Sequence, residues 1–196
     1  MIFIKHHLLI LWRLIEWGNG VLFSFFFRPS LEKVLPLVFR AFTKPPYLFR
    51  RLDASDSNTL FKLLNTQSAS DLTYFNPHGI DVESIKKQFR NHAFLMMGVF
   101  YEDKMAGYFF LRFFINKQCF VGRLIDKDFR GKGIGQVMNQ IMYEISWRIS
   151  FQCLSTISKN NIAVMKAHAK NPAMVIIKEL ENNYMLVKFV PDNWRS

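Results

Sequence analysis

The sequence predicts an α/β fold of alternating helices and strands, preceded by a hydrophobic, basic front segment. Three observations carry that expectation. From residue 47 onward, short apolar runs of strand length alternate with segments whose apolar residues recur at steps of three and four. A glycine-rich turn, Arg130-Gly131-Lys132-Gly133-Ile134-Gly135, stands between one such run and the longest such segment. Half of the 196 residues are hydrophobic and 21% are charged, which excludes a disordered chain and allows a sizeable core containing 21 phenylalanines. The length suits one domain plus an appendage. The stiff Pro45-Pro46 pair divides a 1–46 extension from a 47–196 domain.

The elements follow in order. Tyr47 to Leu52 reads as a first strand, and Asp53 or Ser55 caps a helix through Asn65 that carries Leu60, Leu63 and Leu64. A polar loop runs to Gly79. Asp81 to Ser84 then opens a helix with Ile85 and Phe89 on one face. Phe94–Tyr101 and Met105–Ile115 form a hairpin across Glu102-Asp103-Lys104, and Cys119–Ile125 is a third strand of the run. Ile134, Val137, Met138, Ile141, Met142, Ile145 and Ile149 line one face of the longest body helix. Gln152–Ile157 is a strand, Ile162 to about Lys170 a helix, and Val175–Leu180 with Tyr184–Val190 a closing hairpin.

Charge is unevenly placed. The chain holds 26 Lys+Arg against 15 Asp+Glu, a formal net charge of +11; residues 1–51 alone hold eight basic residues against Glu16 and Glu32. Such an excess points to an anionic partner or to a plain solvated face. Cys119 and Cys153 make neither a disulfide framework nor a zinc site, so a reduced, cytoplasmic compartment is expected. His6, His7 and His92 lack ligand spacing, and no metal is predicted. Basic residues are not interleaved with aromatics along one element, which argues against a nucleic-acid partner.

The front segment is apolar enough to consider as a membrane span. Arg13 and Glu16 lie near the middle of the best window, Leu8 to Phe27, and each costs about 2.5–3.5 kcal/mol at a helix centre, so a span is disfavoured. A secretory signal fits poorly, because no small-residue cleavage site follows the apolar run. Two readings stay open. The stripe Ile4, Leu8, Leu11, Trp12 and Ile15 packs on the protein or on a second copy, as in a homodimer. Alternatively the stripe, with Trp12, Trp17, Phe23 and Phe25 to Phe27, lies in a membrane interface with basic residues facing lipid phosphate, peripheral at the inner face.

The glycine turn carries the chemistry. Glycines at a helix N-terminus let a phosphate reach backbone N–H groups, the helix dipole favours the anion, and Arg130 and Lys132 supply full charges beside it. The spacing Gly131-x-Gly133-x-Gly135 fits neither a Rossmann dinucleotide turn nor a P-loop. Arg130, Gly133 and Gly135 match Arg/Gln-x-x-Gly-x-Gly/Ala, the central motif of the GNAT acyltransferases, and the order of elements over about residues 47–190 also resembles that family. The resemblance implies a mixed sheet splayed between its fourth and fifth strands, with acetyl-CoA in the opening. It further implies that backbone near Leu124 and Ile125 pairs with the pantetheine arm, and that Arg130, Gly131, Lys132, Gly133, Ile134 and Gly135 hold the diphosphate. Asn160 and Ala163 match the family's Asn-x-x-Ala pattern. Ala167 stands where many members place an acid tyrosine, and Cys119–Ile125 lacks the usual glutamate.

The implied activity is acetyl-CoA-dependent N-acetyl transfer to a small-molecule amine, with an amino sugar of surface-polysaccharide synthesis as the favoured acceptor. Protein or peptide amines and a non-catalytic acyl-CoA-binding module are the alternatives. His78 is the preferred catalytic base, because a histidine titrates near neutrality and its loop lies where the family builds acceptor sites. A loop-stabilising role competes with that one. His168 is the second candidate.

Overall fold

The computed structural model describes residues 9–43, 45–169 and 171–191. Its centre is a seven-stranded sheet: β1 (Tyr47–Arg51), β2 (Phe94–Tyr101), β3 (Lys104–Phe114), β4 (Gln118–Ile125), β5 (Gln152–Ser158), β6 (Met174–Leu180) and β7 (Tyr184–Phe189). The spatial order is β1-β2-β3-β4-β5-β7-β6, antiparallel throughout except for the parallel pair β4–β5. Strands β2 to β4 follow one another through tight turns at Glu102-Asp103 and at 115–117. The β4–β5 connection passes instead through α6 (Ile134–Arg148), because parallel neighbours need a crossover.

Both faces of the sheet are covered, which is why seven of the eight residues of β2 are buried. Strand alternation sends Leu95, Met97 and Val99 to one side, where they meet Met138, Ile141 and Ile145 of α6. Phe94, Met96 and Phe100 go to the other side and meet Leu60, Leu63 and Leu64 of α3 (Ser57–Asn65) and Ile85 of α5 (Val82–Phe89). Asp81 caps α5, its side chain accepting from the Ser84 amide at 2.8 Å. The polar stretch between α3 and α5, expected to be all loop, contains the single turn α4 (Ala69–Leu72). Its cap is Ser68, whose side chain accepts from the Asp71 amide and supplies a local signal too short to give periodicity.

Two helices precede the sheet, α1 (Leu9–Phe26) and α2 (Arg28–Phe42). Phe23, Leu31, Leu35 and Val38 enter the same core as α6, and Phe23 stacks on Phe113 with ring centroids 4.7 Å apart. A fully buried aromatic of this kind contributes about 1.5–3 kcal/mol. Of the apolar stripe expected in this segment, Ile4 and Leu8 and the side chains of Leu11 and Trp12 lie outside the described residues, and Ile15 is exposed.

Candidate active site

Strands β4 and β5 pair over only three rungs, from Gln118–Gln152 to Phe120–Leu154. Beyond them the strands part, and Ser155 Oγ donates to the Val121 carbonyl at 3.1 Å, bridging the mouth of the splay. Because the Asp126 amide bonds the Ala106 carbonyl, alternation places the backbone groups of Leu124 in the β3 ladder and those of Arg123 and Ile125 toward the gap. The Ile125 carbonyl is already taken by Arg130 Nε at 3.2 Å. The strand backbone open to a ligand is therefore the Ile125 amide together with the backbone of Arg123, whereas the groups of Leu124 are spent in the β3 ladder.

At the head of α6, Gly131 and Gly133 adopt φ of 75° and 80°, and a Cβ on either would meet nothing within 4 Å. The turn is open to solvent. No side chain caps the helix, so its first amides are free to receive an anion. Ile134 itself is buried in the core. Gly135 serves a different purpose: a Cβ there would sit 2.9 Å from Arg123 Nη1 and 3.0 Å from Ile125 Cδ1.

Both flanking cations meet protein groups. Arg130 turns back from the turn to pair with Asp71 at 2.9 Å, and Lys132 stacks its ammonium over Phe129 at 4.9 Å. The cation that faces the gap is Arg123. It donates from Nε to Asn139 Oδ1 at 2.7 Å, and no carboxylate pairs with it among the described residues. Burial holds its pKa below the ordinary arginine range.

Two cavities meet at this point. One of about 260 Å³ lies between the splayed strands and the Tyr74–Pro77 loop, and the other, of about 810 Å³, lies between α6 and α7 (Ile162–His168) beside Gly131 and Gly135. Arg123, Asn139 and Tyr143 line both, forming the wall between them. Gly135, Asn139 and Tyr143 recur at steps of four along α6, a second stripe beside the apolar one that sequence reasoning passed over. The other legible signal was Arg123 itself, a charge on an inward strand face shared with Cys119 and Val121.

A polar chain fixes proton positions in the wall. The Ala173 amide donates to Asn171 Oδ1 at 3.1 Å, so Asn171 Nδ2 donates to His168 Nδ1 at 3.0 Å and to the Tyr143 hydroxyl oxygen at 3.1 Å. His168 thus carries its proton on Nε2, and burial, with help from the Arg123 charge, depresses its pKa to about 4. The Tyr143 hydroxyl accepts from Asn171 and keeps its own proton free to donate; burial raises its pKa, and its ring stacks on Phe189 at 4.4 Å.

His78 is not in either cavity. It is buried, its Nδ1 donating to the Gly79 carbonyl at 2.7 Å and its Nε2 accepting from the Tyr108 hydroxyl at 2.9 Å. Burial lowers its pKa, and both nitrogens are engaged, so it braces the loop and has no free lone pair to act as a base. Asn160 is exposed in the turn after β5, while the adjacent Asn161 caps α7 and lines the smaller cavity.

No protein-family model and no curated protein matches the chain in sequence. Its structure is nonetheless similar to solved acetyltransferases. The GNAT domain of PAT from S. lividans superposes with a TM-score of 0.63 at 9% identity, covering 72% of this chain and 88% of that one. The ribosomal-protein-S5-alanine acetyltransferase from Vibrio fischeri gives 0.61 at 17%, covering 79% and 98%. PaiA N-acetyltransferase from Thermoplasma acidophilum, solved in complex with coenzyme A, gives 0.60 at 13%, covering 74% and 99%. The chain has the GNAT acetyltransferase fold, a mixed α/β architecture with a seven-stranded sheet.

Proposed function

We propose that this protein is an acetyl-CoA-dependent N-acetyltransferase. The observation that carries the reading is the open turn at Gly131–Gly133, whose uncapped helix amides stand beside the splay of β4 and β5. The PaiA enzyme of the same fold is solved with coenzyme A, which supports the donor. The α6 amides and the Arg123 guanidinium would hold the diphosphate, and the free backbone of Arg123 would pair with the pantetheine arm.

Transfer requires a neutral amine to attack the thioester carbonyl, forming a C–N bond as the C–S bond breaks. The departing thiolate takes a proton, and Tyr143 is the hydroxyl in the wall with one to give; the proton lost by the amine returns to it through water. Among the described residues no carboxylate lines the smaller cavity, and His168 presents an N–H, so none of them is assigned as a side-chain base. The amine loses its proton to water.

The acceptor we favour is an amino sugar. Ser155, Thr156, Ser158 and Asn161 offer polar partners for hydroxyls, while Phe75, Phe110 and Phe120 offer apolar ring faces. Among the described residues Arg123 is the only charged one on that lining, which disfavours polycationic amines.

Thermal unfolding with and without acetyl-CoA tests the donor. At 100 times the dissociation constant the ligand should add about 2.7 kcal/mol of stability, and Gly133→Glu should abolish the gain. No shift for the unmodified chain would overturn the reading. A shift without acetylation of any amino sugar, simple amine or peptide would leave a binding module in place of an enzyme.

A further inference from the structure

Helix α1 turns its polar side chains inward. Glu16 pairs with Arg112 of β3, and Asn19 donates to the Phe113 carbonyl and accepts from the Ile115 amide, both at 2.9 Å. Outward it presents Leu14, Trp17, Val21, Leu22, Phe25 and Phe26, every one at least 41% exposed, with Trp17 at 69% and Phe25 at 76%. The steps 14, 17, 21 and 25 make this one continuous stripe, and no charged residue interrupts it. An apolar face of this extent marks an interaction surface.

Its flank is basic. The hydrogen bonds from Phe27 N to Phe23 O and from Leu31 N to Phe27 O carry the helical ladder across the α1–α2 junction. From Phe26 the exposed stripe continues through Lys33, Leu37 and Arg40. The acid of α2, Glu32, is neutralised by Arg28 and by Arg51 at 2.8 Å. The outward side of the two helices therefore shows apolar groups and cations, with both acids paired.

We propose that this face seats on an anionic lipid bilayer. Trp17 and Phe25 enter the boundary between headgroups and acyl chains, and Lys33 and Arg40 meet lipid phosphates. The helix lies in the plane of the surface: among the described residues no helix is long and apolar enough to cross a membrane. Charge selects lipid over a second copy: Lys33 and Arg40 are exposed beside the stripe, and both acids described on the two helices are already paired, so a second copy would offer these cations no free carboxylate from this face. Helix α1 packs at the Phe113 end of the sheet, where β4 and β5 are still paired, so seating leaves the splayed end uncovered.

The test is co-sedimentation of the full chain with vesicles of phosphatidylcholine alone or mixed with phosphatidylglycerol. Binding should require the anionic lipid and weaken with salt. Trp17→Ser/Phe25→Ser and Lys33→Glu/Arg40→Glu should each weaken it by about tenfold or more, with melting unchanged because all four side chains are exposed. Failure of the full chain to sediment with anionic vesicles, or binding that both variants retain, would overturn the proposal. So would a concentration-dependent dimer, abolished by Trp17→Ser/Phe25→Ser, in a chain that ignores vesicles.

Discussion

Arg123 Nε donates to Asn139 Oδ1 at 2.7 Å, and that bond holds an otherwise unpaired guanidinium in the wall between the two cavities. A half-buried cation with no carboxylate partner among the described residues costs desolvation energy in the free protein. It also stands near the positive end of the α6 dipole, its Nη1 2.9 Å from where a Gly135 Cβ would lie. An anionic ligand relieves both. Arg123→Met should therefore weaken coenzyme A binding by about tenfold or more, as expected for a charge-assisted hydrogen bond worth about 1.5–3 kcal/mol. Thermal stability without ligand should hold or rise. Calorimetric titration alongside melting curves reads both, and unchanged affinity would remove Arg123 from the donor site.

Gly133→Ala should cost about 1–2 kcal/mol of stability, through the backbone alone. Space around the position is open, and the strain comes from φ of 80° imposed on an L side chain. Gly135→Ala should act differently, by pushing against Arg123 and Ile125. Denaturant titration of the two variants, paired with coenzyme A affinity, separates backbone strain from a displaced guanidinium.

Tyr143→Phe keeps the ring that stacks on Phe189 and removes only the hydroxyl. If that hydroxyl protonates the departing thiolate, kcat should fall by about 10²-fold or more while KM for the donor changes little. Steady-state rates on any accepted amine measure it, and a kcat within a factor of two of the parent would exclude the role.

His78→Ala should lower stability by about 1–3 kcal/mol, because it strands the buried Tyr108 hydroxyl. Turnover per folded molecule should survive. A loss of activity exceeding the loss of folded protein by more than tenfold would restore His78 as a participant in the chemistry.

Acid should loosen the fold in a window set by His168. Its folded pKa of about 4 lies below the usual 6.5, so between those values the unfolded chain binds a proton that the folded chain refuses. Stability is complete above about 6.5 and declines as pH falls toward 4, by on the order of 3 kcal/mol from this residue. His168→Phe should flatten that part of the profile in denaturant titrations across the range. The Asp56 carboxylate, held below its usual range by Arg50 at 2.7 Å, adds a further loss at lower pH.

Much of the molecule was legible in the chain because its signals are local. Short apolar runs of strand length and apolar residues at steps of three and four marked most strands and helices from Tyr47 to Phe189, and caps such as Asp81 set helix starts. The glycine turn at 131–135 announced a helix head free of side chains, since positive φ and the absence of Cβ are properties of single residues. What only the tertiary structure decided depends on residues distant in sequence. Asp71 draws Arg130 away from the turn across 59 positions, and Tyr108 occupies the His78 nitrogen across 30. Asn171 orients both His168 and Tyr143, and the early parting of β4 from β5 turns Arg123 from a core position into the wall of a site. A side chain's charge and reach are written in its identity, but the partner that consumes them is chosen by packing.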